Sequence, residues 1–294
     1  MWRGKKLIRS SFLSRLAGAV PFIFGIKEVR IGTNMKNLRR YGNAPFKMAA
    51  IHGGPGAPGE MAPVARELSS VGGVLEPLQT AATIEGQIGE LKEVLHKKGN
   101  LPVTLIGWSW GAWLSFIFTA QCPAFVKKLI LIGSGPFEEK YALEIMDTRL
   151  RRLSQEEKAE AISLMNTLND PSVEDKNALL VRLGKLISKA DSYDSLPQES
   201  EILECQYEIF QSVLGQATNL RSSGKLLEFG KKIQCPVVAI HGDYDPHPYK
   251  GIKQPLSRIL KDFRFILLKN CGHQPWIERS AKVRFYSILK IEVS

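Results

Sequence analysis

With 294 residues, 44% of them hydrophobic and 23% charged, the chain can bury one sizeable core with an inserted lobe and has the composition of a globular protein. Its formal net charge of +11 invites a nucleic-acid partner, but residues 1–47 hold eleven Lys and Arg against the single acid Glu28, which leaves 29 basic and 28 acidic groups elsewhere. The body is therefore near neutral, and since a phosphate-binding face needs clustered cations there, nucleic acid is excluded as a partner.

Residues 1–27 are rich in Arg, Lys and Ser, contain no acid, and end in the apolar run 16–26. Eleven residues fall short of the roughly 20 that cross a bilayer, so no integral membrane span is expected. The charge pattern fits an amino-terminal targeting segment, although no small-x-small cleavage site follows it, or an extension upstream of a natural start at Met35. Four scattered cysteines (Cys122, Cys205, Cys235, Cys271) show no C-x-x-C or metal spacing. They read as reduced thiols of a cytoplasmic protein with no structural metal.

From residue 46 onward, short apolar runs at 47–51, 73–78, 101–106 and 126–132 alternate with helical patterns, notably 85–98 with Ile88, Leu91, Val94 and Leu95 at helical spacing. Continuously apolar strands joined by helices predict a parallel sheet covered on both faces. The strand texture stops over 136–229. There Ser154 and Glu157 form a capping-box pattern before Ala161, Ile162, Met165 and Leu168, a second apolar stripe covers 179–187, and a third helix is expected over 201–214. Strands resume at 237–240 and 263–268, and a closing helix is expected over 277–291. The division is a basic extension (1–45), a first core part (46–135), a helical cap (136–229) and a second core part (230–294).

Gly107-Trp108-Ser109-Trp110-Gly111 matches G-x-S-x-G between a buried strand and a helix, the context in which a tight turn lifts a serine hydroxyl above a sheet edge. A serine needs a base. His96 sits beside Lys97 and Lys98 on an exposed helix, His52 and His241 lie at strand ends, and His247 is stiffened between Pro246 and Pro248. His273, after Gly272 on a loop beyond the last strand, is the expected base. Cys271, two residues before it on the same loop, is a poor alternative nucleophile. Asp245 is preferred to Asp243 as the orienting carboxylate because its longer reach clears the strand end. The chain order Ser109, Asp245, His273 resembles that of α/β-hydrolases. His52-Gly53-Gly54-Pro55-Gly56 follows the first buried strand, and the backbone N–H groups of Gly53, Gly54 and Trp110 are the expected oxyanion donors. The motif lacks the Lys-Ser/Thr of a nucleotide-binding loop, so no cofactor is expected. Trp108, Trp110 and Trp113 hint at an aromatic-lined site.

These motifs resemble the α/β-hydrolase superfamily over residues 45–294, and HGGPG with Ser109-Trp110-Gly111 is similar to its proline iminopeptidase branch. The resemblance implies an α/β fold, a mostly parallel sheet flanked by helices with an inserted helical cap. It also implies release of an amino-terminal residue, often proline, with a cap carboxylate binding the substrate amine. The branch's Asp-Gln-Arg-Gly segment is missing: residues 73–80 read Gly-Val-Leu-Glu-Pro-Leu-Gln-Thr. The expected function is therefore the broader one, hydrolysis of a small ester, amide or short peptide through an acyl-Ser109 intermediate. An aminopeptidase, a cofactor-free lyase and a non-catalytic ligand-binding protein of the same fold are the alternatives.

Overall fold

The computed structural model describes residues 37–197 and 201–294. The targeting-segment and Met35 readings fall on residues 1–36, outside the described residues. Strands β1 (Leu38–Tyr41), β2 (Phe46–Ile51), β3 (Gly73–Pro77), β4 (Val103–Trp108), β5 (Val126–Ile132), β6 (Val237–Gly242) and β7 (Phe263–Leu268) form one sheet in the order β1-β3-β2-β4-β5-β6-β7. All neighbours run parallel except β1, which pairs antiparallel with β3.

Helices cover both faces. On one lie α2 (Ile84–Lys98), α3 (Trp110–Gln121) and α9 (Lys250–Ile259), packed on Ala49, Leu105 and Leu131; on the other lie α1 (Ala62–Leu68) and α10 (Lys282–Val293), packed on Met48, Ile106 and Ile130. Alternate residues of each central strand thus serve opposite cores, which is why these strands read as unbroken apolar runs. Helix α3 is buried from Trp110 to Ala120 and is apolar all round, as a helix enclosed on every side must be.

Between β5 and β6 the chain leaves the sheet and forms α4 (Ile145–Arg152), α5 (Gln155–Leu168), α6 (Asn177–Asp191), α7 (Tyr207–Ser222) and the short α8 (Lys225–Glu228). The capping box of α5 is present: Ser154 Oγ accepts from Glu157 N–H at 3.2 Å, and Ser154 N–H donates to Glu157 Oε2 at 3.1 Å. Three expectations change. Residues 201–206 are not helical, because Leu203 N–H donates to Pro58 O at 3.0 Å and Gln206 N–H to Gly56 O at 2.8 Å, and α7 starts only afterwards. The closing helix begins at Lys282 rather than 277. The segment assigned to a basic extension contributes β1, held by Tyr41 Oη donating to the buried Glu76 Oε2 at 2.9 Å and by Arg39 at 3.6 Å from the same oxygen. A short, charged strand is a usual way to end a sheet without inviting further pairing.

The late start of α10 frees Glu278, which is wholly buried. Its Oε1 accepts from Tyr193 N–H at 2.8 Å and Gly272 N–H at 2.9 Å, and its Oε2 from Asp194 N–H at 2.8 Å. One carboxylate therefore ties the end of the inserted helices to the loop that carries His273. Glu278→Ala leaves three N–H donors without an acceptor and is expected to cost about 3 kcal/mol, read as a fall of roughly 5 °C in Tm; an unchanged melting curve would refute the clamp.

Candidate active site

Strand β4 ends at Trp108 and α3 begins at Trp110, so a single residue makes the turn between them. That residue, Ser109, has φ 54° and ψ −117°, a strained conformation for a side chain with a Cβ. Neighbouring backbone over-determines it. A Cβ on Gly111 would lie 2.3 Å from Ile51 O and 2.4 Å from His52 O, and one on Gly107 would lie 2.2 Å from Gly111 O. Both glycines of G-x-S-x-G are thus required by contact with main chain, which cannot move aside as a flexible side chain can.

The structure brings Ser109, His273 and Asp245 together. His273 Nε2 is 3.0 Å from Ser109 Oγ, and His273 Nδ1 is 2.7 Å from Asp245 Oδ2. Burial alone would push the His273 imidazole down, but the Asp245 carboxylate, its hydrogen bond and the nearby Asp191 outweigh it and hold the group above its ordinary value. Burial would likewise raise Asp245. The imidazoles of His273, His241 and His247 prevail and keep it well below the usual carboxylate range.

The rejected candidates have other roles. Asp243 Oδ1 accepts from Cys271 N–H at 3.3 Å and its other oxygen faces Lys269, so it organises the loop under His273. The buried Cys271 thiol is pushed far up by desolvation and adjacent carboxylates, the reverse of an activated nucleophile. His247 does more than wall the loop: its N–H and Nδ1 lie 2.9 and 2.8 Å from Asp245 Oδ1, and its ring packs at 4.7 Å from that of His273. Burial drives His247 down to about 4, so it serves as a neutral hydrogen-bond donor at neutral pH. Among the described residues, Asp245, His247 and His273 are also the one set of donors spaced as metal ligands would be, within 4.8 Å of one another. In this set the Nδ1 atoms of His247 and His273 both hydrogen-bond to Asp245.

The Gly-rich loop after β2 is steered by His52, which is fully buried and pushed down to about 4 by desolvation. Its Nε2 accepts from Gln79 N–H at 3.2 Å, which leaves the proton on Nδ1, and Nδ1 donates to Gly53 O at 2.7 Å. Because the peptide is planar, fixing Gly53 O also fixes the direction of Gly54 N–H. A Cβ on Gly53 would meet Trp108 at 2.4 Å and Ser109 Cβ at 3.1 Å, so this loop lies directly against the elbow. The backbone N–H groups of Gly54 and Trp110 donate to no acceptor among the described residues.

The tryptophans that hinted at an aromatic-lined site have their indole N–H groups turned inward. All three are buried, with Nε1 of Trp108, Trp110 and Trp113 donating to His273 O, Gln87 Oε1 and Gly135 O at 2.9, 3.0 and 3.0 Å. Sequence reasoning missed the ion pair of Arg149 on α4 with Asp191 at the end of α6, joined by two bonds of 2.7 Å. Asp191 O accepts from His273 N–H at 2.9 Å, so the inserted helices hold the main chain of the candidate base. Nothing in the chain order links residues so far apart.

An open parallel sheet with an elbow serine at its carboxyl edge defines the α/β-hydrolase architecture. The family model for the alpha/beta hydrolase fold matches residues 80–279, and the chain belongs to that family. Among solved structures it is similar to VinJ, with 18% identity and a TM-score of 0.60 over 87% of this chain and 95% of the other. It is also similar to the Paleococcus ferrophilus monoacylglycerol lipase, with 14% identity and TM-score 0.57 over 87% and 97%. The Mycobacterium smegmatis proline iminopeptidase gives 16% and 0.56 over 87% and 93%. At these identities the likeness is one of fold. No curated protein sequence matches the chain. No helix among the described residues is long and apolar enough to cross a membrane.

Histidine-resolved NMR titration checks the electrostatics. His273 is expected to titrate above 6.5 and His247 near 4, with Asp245→Asn dropping His273 below 6.5 because burial then outweighs the remaining pull of Asp191. A wild-type midpoint for His273 below 6.5 would contradict the assignment.

Proposed function

We propose that the chain is a serine hydrolase acting on a small ester or amide through an acyl-Ser109 intermediate. The observation that carries this reading is the continuous line of hydrogen-bonding atoms from Asp245 Oδ2 through His273 to Ser109 Oγ, at 2.7 and 3.0 Å, on a strained elbow. In this reading Asp245 keeps the His273 proton on Nδ1, which leaves Nε2 free to take the Ser109 proton as Oγ attacks the carbonyl carbon. The carbonyl π electrons move onto oxygen, and the N–H groups of Gly54 and Trp110, with Gly53 beside them, hold that oxyanion. One such donor is worth about 3 kcal/mol. His273 then passes its proton to the leaving group, and a water deprotonated by the same nitrogen frees the acid from Ser109.

Support for an amide substrate is narrower. The HGGPG motif and the fold likeness to a proline iminopeptidase favour an amino-terminal amide, while the absent Asp-Gln-Arg-Gly segment and the likeness to a monoacylglycerol lipase favour an ester. Hydrolysis of p-nitrophenyl butyrate and proline p-nitroanilide by wild type and Ser109→Ala decides among these. The expected result is release of nitrophenol or nitroaniline that falls about a thousandfold or more in the variant. Release from the anilide identifies an aminopeptidase, and release from the ester alone an esterase. Turnover that survives Ser109→Ala overturns the mechanism. No Ser109-dependent turnover of either substrate points instead to a lyase, a narrower substrate or a binding protein.

A further inference from the structure

The Gly-rich loop continues past the expected oxyanion donors as Ala57-Pro58-Gly59-Glu60, and this stretch lies against the inserted segment. Gly56 O and Pro58 O accept the N–H groups of Gln206 and Leu203. Arg66 on α1 binds Glu201 at 2.9 Å from below. Gly59 has φ +111°, and a Cβ there would lie 2.3 Å from Glu201 O, so only glycine makes this turn. The turn sends the Glu60 side chain back along the loop. Its Oε2 lies 3.7 Å from the point that a Cβ on Gly54 would occupy.

Glu60 differs from the other carboxylates around the site. Asp191 and Asp245 have ion-pair partners, and Glu278 accepts three N–H groups. Glu60 is partly buried, yet no hydrogen bond or ion pair engages it among the described residues. The titratable groups within electrostatic reach are His273, from the loop after β7, and Cys205, from the inserted segment. No lysine or arginine is among them. Burial pushes the acid up to about 8, with His273 opposing, so its charge changes within the working range of an ordinary protein.

We propose that Glu60 is a specificity-determining residue whose carboxyl borders the scissile carbonyl and makes the site reject substrates that carry an anionic group near that carbonyl, while accepting neutral ones. The proposal rests on the serine-hydrolase reading above. The physical ground is the absence of a lysine or arginine counter-charge to Glu60 among the described residues. A substrate carboxylate brought within 5 or 6 Å of an ionised Glu60 meets an unscreened like charge, and at the effective dielectric of such a site the penalty reaches about a hundredfold in affinity. When Glu60 carries a proton the same group becomes a neutral hydrogen-bond donor and the penalty fades.

The test compares p-nitrophenyl butyrate with the mono-p-nitrophenyl ester of glutaric acid, which carries a carboxylate of similar reach, in wild type and Glu60→Gln. At pH 9 the wild type is expected to prefer the neutral ester in kcat/KM by about a hundredfold, and the variant to cut that preference at least tenfold. At pH 6 the wild-type preference should shrink toward that of the variant, whose preference should not change with pH. Labelling of Ser109 by a neutral fluorophosphonate, followed by mass spectrometry in both proteins, separates the two ways to fail. Labelled Ser109 with the same preference in wild type and Glu60→Gln overturns the role of Glu60 and spares the hydrolase reading. Absence of labelling in the wild type removes both.

Discussion

The site depends on a collision avoided. Where β4 turns into α3, the Gly111 backbone passes so close to the carbonyls of Ile51 and His52 that a single methyl group would overlap both. This contact lets two loops meet: the one ending β2, with its unpaired Gly54 N–H, and the turn that holds Ser109 at a positive φ. The cost of the Ser109 conformation, of order 1–3 kcal/mol, is offset by the packing of α3 between the sheet and its neighbouring helices. Rigidity here is what the proposed mechanism needs, since a nucleophile and its expected oxyanion donors cannot be aligned by loops that drift.

Electrostatics then builds outward from Asp245. The carboxylate is wholly surrounded by imidazoles, of which only His273 is held above its ordinary value. His247 is held neutral by burial and His241 is shifted the same way, so they contribute directed dipoles instead of charge. His241 Nε2 lies 2.8 Å from His247 O and 3.4 Å from Asp245 Oδ2, which gives the three rings a fixed order around one anion. A lone buried carboxylate would take up a proton, but one ringed by such donors stays ionised and can hold an imidazolium opposite it.

Much of this was legible in the residues, and the gaps have physical causes. Alternation of apolar runs and helical patterns defined the parallel sheet because β4 and β6 are buried throughout and β5 is buried from Leu129 onward, so no polar face confuses the pattern there. Asp245 was separable from Asp243 by reach, and His273 from the other histidines by its place after the last strand. Spatial partners were not legible. Residues 201–206 carry helical composition but exchange intrachain helix bonds for bonds to Gly56 and Pro58, a tertiary choice with no local signature. Pro255 inside α9 breaks the local signal of that helix. The tryptophans around Ser109 looked like a binding surface, yet each N–H is turned inward to a buried acceptor. Glu60 was invisible for the opposite reason: its distinction is a missing partner, and sequence cannot display an absence.

The inserted helices meet the core at both halves of the site. Asp191 O and Glu278 secure the His273 loop, while Gln206 and Leu203 secure the Gly-rich loop. A rigid upward swing of these helices would therefore tear away main-chain bonds that hold the base and the expected oxyanion donors. Under the proposed mechanism, a hinge-like motion of that kind would disturb the geometry around Ser109 and His273 as it opened the site. A substrate of the proposed enzyme would then enter between loops or through rotamer changes beneath helices that stay in place. It follows that exchanging these helices for those of a relative would also exchange part of the scaffold that holds the His273 main chain, so the roof and the loop beneath it would have to be inherited as one piece.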